Sequence, residues 1–319
     1  MPVNANHPEK WKSDIKDSVD FYNEWFIKFA PKAYRETRLK STKQVQMALV
    51  QTAYLTNVTP KILKQNPQTL KMLRMATAPP IAQDRLVGLA NISKNLVKNM
   101  EDKSRIPPKM KQKKVDSELQ RISDLIMKLA DKDIFSWLET KTSPNEKEAY
   151  RAATIVADRL CGAQSDPIIR NAQEERQLES VKKWLEKLEY SHVEPSGVKF
   201  ESMNPGTFTF RLSIPVNLSA SKEQVNIPVD IVIMPKKAAP SRLPLLIEAK
   251  SAGDFTNPNK RRKEEAVKIS QLKATYGKSI RFVLFLCGYF NPGYLGYEAS
   301  EGIDWVWEHR IDDLAQFGV

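Results

Sequence analysis

Up to about residue 190 apolar positions recur every three or four residues, and from Phe208 onward they recur every second residue. The first spacing belongs to helices that bury one stripe, the second to strands that bury one face. Ile15, Val19, Tyr22, Phe26 and Phe29 predict a helix over 12–35, which Pro31 is expected to end or kink. Ser41 and Thr42 offer an N-cap for a second helix to about Leu55. Thr59-Pro60 starts another, and Asn66-Pro67 restarts the chain for a segment carrying Leu70, Leu73 and Met75. The stretch 77–80 breaks the pattern, and a longer helix is expected to about Met100. A polar linker with two prolines fills 101–114, and Leu119, Ile122, Leu125, Ile126 and Leu129 restore helical spacing. Ser143-Pro144 caps a helix to about Leu160, and Leu178, Val181, Leu185 and Leu188 mark a further helix over 171–190 with Glu174 and Glu175 in its first turn. A helix-turn-helix is one arrangement the short helices allow, and a plain bundle is the simpler one.

In the second half, Phe208, Phe210, Leu212 and Ile214 alternate with polar residues, as in a half-buried strand. Strands are expected over 225–234, 244–249 and 280–287, the last so apolar that it belongs in the sheet centre. A helix within 258–276, with Ala266, Ile269, Leu272 and Tyr276 inward, separates the last two of these. A short strand at 303–307 and a closing helix at 311–317 complete the set. The expected fold class is α+β or α/β: an all-helical region over 1–170, then a core over 171–319 with a mixed β-sheet flanked by helices.

Composition narrows the function classes. The 319 residues contain no apolar run near the roughly 20 that a membrane span needs, and the N-terminus lacks an apolar signal core. No membrane partner is expected, and the cytoplasm is the expected location. Two cysteines and three histidines leave no disulfide framework, four-ligand zinc spacing or histidine-based site. The net charge of +12 is unevenly placed. Residues 1–114 hold 22 Lys and Arg against 9 Asp and Glu, whereas 115–319 hold 28 against 29. No acid occurs from Thr37 to Gln83, among seven basic residues. That asymmetry points to a polyanion, most simply nucleic acid. Lys43, Lys61, Lys64, Lys71 and Arg74, with Arg38 and Lys40, are the candidate phosphate contacts, the alternative being a merely solvated basic surface.

The chemistry concentrates on two apolar runs that carry charge. Asp230 lies inside the strand over 225–234, and Glu248 and Lys250 end the strand over 244–249. Ionised groups in buried strands require a partner or a metal. Side chains two apart share a strand face, so Glu248 and Lys250 point one way while Ala249 leaves its carbonyl near them. If the strands pair as a hairpin, Asp230 comes beside Glu248. Two carboxylates and a carbonyl suit Mg2+, and a lysine beside the ion suits phosphodiester hydrolysis. Asp230 and Glu248 paired structurally with Lys250 is the competing arrangement. Lys260, Arg261, Arg262 and Lys263 follow closely and are placed to grip a DNA backbone, or else form a solvated helix start.

Asp230 followed by Glu248-Ala249-Lys250 resembles the PD-(D/E)XK nuclease motif, with Val229 where that motif has proline and Pro228 one place earlier. A longer similarity is to the XamI-like type II restriction endonucleases. It rests on Tyr22-Asn23-Glu24-Trp25-Phe26, on 151–160, on 171–178 and on Glu301-Gly302-Ile303-Asp304-Trp305-Val306-Trp307-Glu308-His309-Arg310. The resemblance implies metal ligation by Asp230 and Glu248, a catalytic Lys250, and supporting roles for Glu175 and Gln271. It further implies cleavage of double-stranded DNA to 5′-phosphate and 3′-hydroxyl ends, a homodimer on a palindromic site and a companion methyltransferase that is not a stable subunit. Residues 1–170 then serve DNA engagement, recognition or dimer contacts. A repair, junction or transposition nuclease on the same core and a non-catalytic DNA-binding protein are the competing readings.

Overall fold

A computed structural model describes residues 2–217, 224–239 and 242–319, apart from the side chains at 257 and 259–262. The chain divides into a helical unit, Ala30–Ile169, and a sheet unit formed by Met1–Phe29 with Arg170–Val319.

The first helix, α1 (Pro8–Gln51), runs straight through Pro31 and through Ser41, where a break and a new start were expected. Burial at Ala30, Ala33, Thr37, Ser41, Val45 and Ala48 keeps helical spacing past the proline. That continuous buried stripe outweighs the one backbone hydrogen bond a proline removes. Ser41 is fully buried within α1, and its hydroxyl donates to Gln164 at 3.1 Å instead of capping. Short helices follow: α2 (Pro60–Gln65), α3 (Leu70–Met75), α4 (Gln83–Ala90) and α5 (Lys94–Lys103). Thr59 caps α2 as its sequence implies, accepting the Ile62 N–H at 3.4 Å. The single helix expected up to Met100 is two, because Asn91 takes a left-handed turn at φ 48° that ends α4. Next come α6 (Gln112–Leu129), the single turn α7 (Trp137–Thr140) and α8 (Glu146–Lys187). Leu63, Leu73, Leu86, Leu96, Ile122, Phe135 and Trp137 form the core of this unit.

Helix α8 joins two expected helices into one of 42 residues with Pro167 inside it. Glu174 and Glu175 therefore lie mid-helix, and their placement in a first turn is corrected. The sheet has six strands among the described residues: β1 (Ser191–His192), β2 (Thr207–Asn217), β3 (Gln224–Met234), β4 (Leu245–Ala252), β5 (Arg281–Gly288) and β6 (Asp304–Trp307). They lie in chain order, with β2, β3 and β4 antiparallel neighbours and the β1–β2, β4–β5 and β5–β6 pairs parallel. The fold is α+β with a mixed sheet, and β5 is interior as its apolar run implies. Leu178, Val181 and Leu185 of α8 pack with Ile231, Ile247 and Phe285 of the sheet. A second cluster joins Val229, Leu246 and Leu284 to α9 (Thr256–Tyr276) through Ile269 and Leu272, and to α10 (Pro292–Ser300) through Tyr294 and Leu295. Helix α10 was not expected. Asn291 caps it by accepting the Tyr294 N–H at 2.8 Å, and Pro292 fits its first turn. The closing segment Glu308–Phe317 is 3-10 rather than α-helical. Among the described residues, no helix is long and apolar enough to cross a membrane.

Candidate active site

The antiparallel register of β3 and β4, Ile231 opposite Ile247, brings Asp230 beside Glu248. The Ala249 N–H donates to Asp230 Oδ2 at 2.9 Å, which fixes the carboxylate against the neighbouring strand. Glu248 is buried, and two ammonium groups serve it: Lys268 Nζ lies 2.8 Å from Oε2 and Lys250 Nζ 3.4 Å from Oε1. Lys250 makes a shorter pair with Glu265 of α9, at 2.7 Å. Lys268, also on α9, donates to the Pro228 carbonyl at 2.9 Å and so ties the helix to β3.

This crowding shifts protonation. Burial first, and the Glu248 charge second, push the Asp230 carboxyl up to about 6, against the smaller opposing effect of the Ala249 N–H and the two lysines. Burial pulls Lys250 down, yet Glu248, Glu265 and Asp230 together hold it above the ordinary lysine range. Lys250 is therefore an ammonium here, a donor to oxygen anions. Asp230 and Glu248 supply two carboxylates. Among the described residues no cluster of three or more His, Cys, Asp or Glu is arranged to hold a metal.

Asp230, Glu248, Ala249 and Lys250 are thus brought together, whereas Glu175 and Gln271 are not. Glu175 is exposed on α8 and has no described partner. It is Gln177, two residues on and buried, that reaches the sheet, donating to the Phe285 carbonyl at 3.1 Å and the Lys250 carbonyl at 3.4 Å. On α9 the residues facing the acids are Glu265 and Lys268. Gln271, half-buried, has among the described contacts only its carbonyl accepting the Thr275 hydroxyl at 3.0 Å. Sequence reading missed Gln177, Glu265 and Lys268. The signal for the first two was a polar residue on an apolar helix stripe, Gln177 beside Leu178 and Val181, and Glu265 four before Ile269.

The candidate DNA contacts divide in the same way. The side chains of Lys260, Arg261 and Arg262 lie outside the described residues, and Lys263 is exposed. Because α9 begins at Thr256, this run falls in its second turn, and the expectation that it sits at the helix N-terminus is corrected. In the helical unit Lys43, Lys61 and Lys64 are exposed and Lys71 is half-buried. Arg74 does not belong with them. It is buried, its guanidinium pairs with both Glu101 oxygens at 2.6 and 2.8 Å, and it also donates to the Ile81 carbonyl. The acid-free stretch is acid-free along the chain but not in space, since Glu101 folds onto it from α5. Arg38 is likewise paired, with Asp158 at 2.9 Å.

An acid pair and a lysine on adjacent strands, in a chain with one strongly basic half, define a candidate phosphodiesterase. Residues 53–307 match the family model of the XamI restriction endonucleases, and the chain belongs to that family. It is therefore an enzyme, a site-specific deoxyribonuclease of the restriction class, with double-stranded DNA as its substrate. The resemblance drawn from the quoted segments holds. The chain is 52% identical over 317 residues to the Type II restriction enzyme SalI of Streptomyces albus G, which covers 99% of each protein. Among solved structures it is similar to protein VC1899 from Vibrio cholerae, at 13% identity, over 80% of this chain and 56% of that one. The TM-score of that match is 0.29, too low to carry an argument.

Proposed function

We propose that the chain is a Mg2+-dependent type II restriction endonuclease on a PD-(D/E)XK core. It cuts both strands at a specific site and leaves 5′-phosphate and 3′-hydroxyl ends. The observation that carries this reading is the meeting of Asp230, Glu248 and Lys250 across two neighbouring strands. The donor set fits a hard divalent cation: the Asp230 and Glu248 carboxylates and the Ala249 carbonyl are all oxygen donors, and so few protein ligands suit an ion that keeps several waters. The Asp230 carboxyl, raised by burial first and by the Glu248 charge second, is a carboxylate whose ionised form a bound cation would favour. When bound, the ion supplies an activated water and neutralises charge on the phosphoryl oxygens.

The chain's own residues do the rest. Asp230 and Glu248 fix the site on a rigid pair of strands. Lys250, held as an ammonium, donates to the scissile phosphate as its charge builds, and that stabilisation of developing charge is the main source of rate. A water oxygen joins phosphorus and gives up a proton to solvent, the bond from phosphorus to the 3′ oxygen breaks, and that oxygen leaves with the electron pair and takes up a proton from solvent. The region 1–170 engages DNA through Lys43, Lys61, Lys64 and Lys71, and in the sheet unit Lys263 and its neighbours 260–262 contribute further cationic contacts to the phosphate backbone. A homodimer matches protein symmetry to a palindromic site. The protein works in the cytoplasm, in a system with a separate protecting methyltransferase.

Digestion of a mapped plasmid with and without Mg2+ tests this function. Discrete bands that require Mg2+, with ends that religate without kinase treatment, are expected. A smear points to a nuclease of another kind, and binding with no nicking in any divalent metal points to a non-catalytic DNA-binding protein.

A further inference from the structure

Behind Lys250 lies a group of buried polar side chains that the cutting step above does not use. Glu265 on α9 is 3% exposed, and Glu298 on α10 is fully buried. Glu265 Oε1 takes the Lys250 ammonium at 2.7 Å, while its Oε2 has no hydrogen-bond partner among the described residues. Beside the Glu298 carboxyl lies the hydroxyl of the buried Tyr294, one turn earlier on the same helix, which partly offsets the burial of the acid. A buried carboxylate with an oxygen left unpartnered is a poor stabiliser, and an apolar residue of similar volume serves a core at least as well. The stability of α9 gives no reason for an acid at 265.

We infer that Glu265 is a positioning residue for the cutting step, its carboxylate holding the Lys250 ammonium in place beside Glu248. The inference rests on the reading of Lys250 as the catalytic lysine. Lys250 has two anionic partners, and the Glu265 pair is the shorter, 2.7 Å against 3.4 Å. A lysine side chain is long and flexible, and a point charge without a fork of donors to orient it needs a fixed partner. Glu248 is a weak anchor, because it is shared with Lys268 and lies where a cation is expected to compete for it. Glu265 sits outside that competition, on a different element. Behind Glu265, burial and then the Glu265 charge push the Glu298 carboxyl up to about 8, so at neutral pH Glu298 keeps its proton and does not compete for the lysine. The acid behind thus remains neutral while the acid in front holds the lysine.

A double-mutant cycle tests this, with full-length protein and single-turnover cleavage of a plasmid carrying the recognition site. Glu265→Gln is expected to slow cleavage by about tenfold to a hundredfold, the scale of a misplaced catalytic group, and to leave metal-free DNA affinity and the thermal midpoint close to wild type. Glu265→Asp, which keeps the charge, is expected to recover part of the loss. In a Lys250→Ala background Glu265→Gln is expected to cost nothing further, because the lysine it positions is gone. Wild-type cleavage by Glu265→Gln overturns the inference, and so do losses that multiply in the double variant. Should Glu265→Gln not fold, Glu265→Met decides in its place: a slower rate that vanishes as an effect in the Lys250→Ala background supports positioning, and a wild-type rate overturns it. Wild-type cleavage by Lys250→Ala itself removes the proposed active site. An inactive Lys250→Ala beside a fully active Glu265→Gln removes only the role of Glu265.

Discussion

In the helical unit Arg74 and Glu101 close on each other. Both carboxylate oxygens accept from the guanidinium, Gln83 adds a further donor at 2.7 Å, and the Ile81 carbonyl takes another N–H. In the sheet unit Asp230, Glu248, Glu265 and Glu298 face two lysines, Lys250 and Lys268, and Glu265 leaves an oxygen without a hydrogen-bond partner among the described residues. The first arrangement is complete by itself, and breaking it harms only the fold. The second carries surplus negative charge and a lysine with two competing partners, which a cation and a phosphate can rearrange. Burial of charge is therefore not by itself a sign of function. What separates the two sites is whether the charges are matched.

The largest expected effect lies on the unmatched side. Asp230→Ala removes half of the acid pair and is expected to slow single-turnover cleavage by about a thousandfold, with the thermal midpoint little changed. Arg74→Ala should do the opposite. It strands a Glu101 side chain that is 1% exposed, and denaturant unfolding is expected to show a loss of about 3 kcal/mol. Replacing both partners, Arg74→Met with Glu101→Leu, should restore most of it. If the double replacement is as damaging as Arg74→Ala, the pair is not the closed unit described here.

A smaller effect comes from pH. The Glu298 carboxyl stands at about 8 in the fold against an ordinary 4.5, so between those values the folded chain keeps a proton that the unfolded chain has released. Stability therefore falls as pH rises through that window. Relative to Glu298→Gln, the metal-free wild type is expected to lose about 2 kcal/mol between pH 5 and 8, read from urea midpoints. Parallel pH curves for the two proteins would contradict the burial of an unmatched acid. The smallest effects belong to surface cations. Lys43→Ala, Lys61→Ala and Lys64→Ala should each weaken DNA binding modestly and reduce the slope of log affinity against log salt by about one. An unchanged slope for all three would separate the basic stretch from the DNA.

The acid pair and lysine were legible in the sequence because strand alternation fixes which side chains share a face, and three charges broke that alternation. The five longer strands were legible to within a few residues, from alternation or a continuous apolar run, whereas the two-residue β1 was not expected. Long helices were not. Pro31 and Pro167 read locally as stops, and only burial along the whole stripe, as at Ala33, Thr37 and Val45, shows that packing carries α1 past its proline. Arg74 was misread because counting charge along the chain cannot see Glu101 folding back from α5. Glu265 was missed because α9 was read for its apolar stripe, and an acid on that stripe was not counted as part of it. Glu298 lay in a stretch rich in glycine and aromatic residues, whose helix depends on the Asn291 cap and Pro292.

The most direct test of the central claim is Mg2+-dependent cleavage of a mapped plasmid by Glu248→Ala and Lys250→Ala beside the wild type, each folded by circular dichroism. The expected result is complete digestion to discrete bands by the wild type within a time that leaves the plasmid largely uncut by either variant, with DNA still bound by both variants. Bands of wild-type intensity from both variants would contradict the assignment of the cutting centre to β3 and β4.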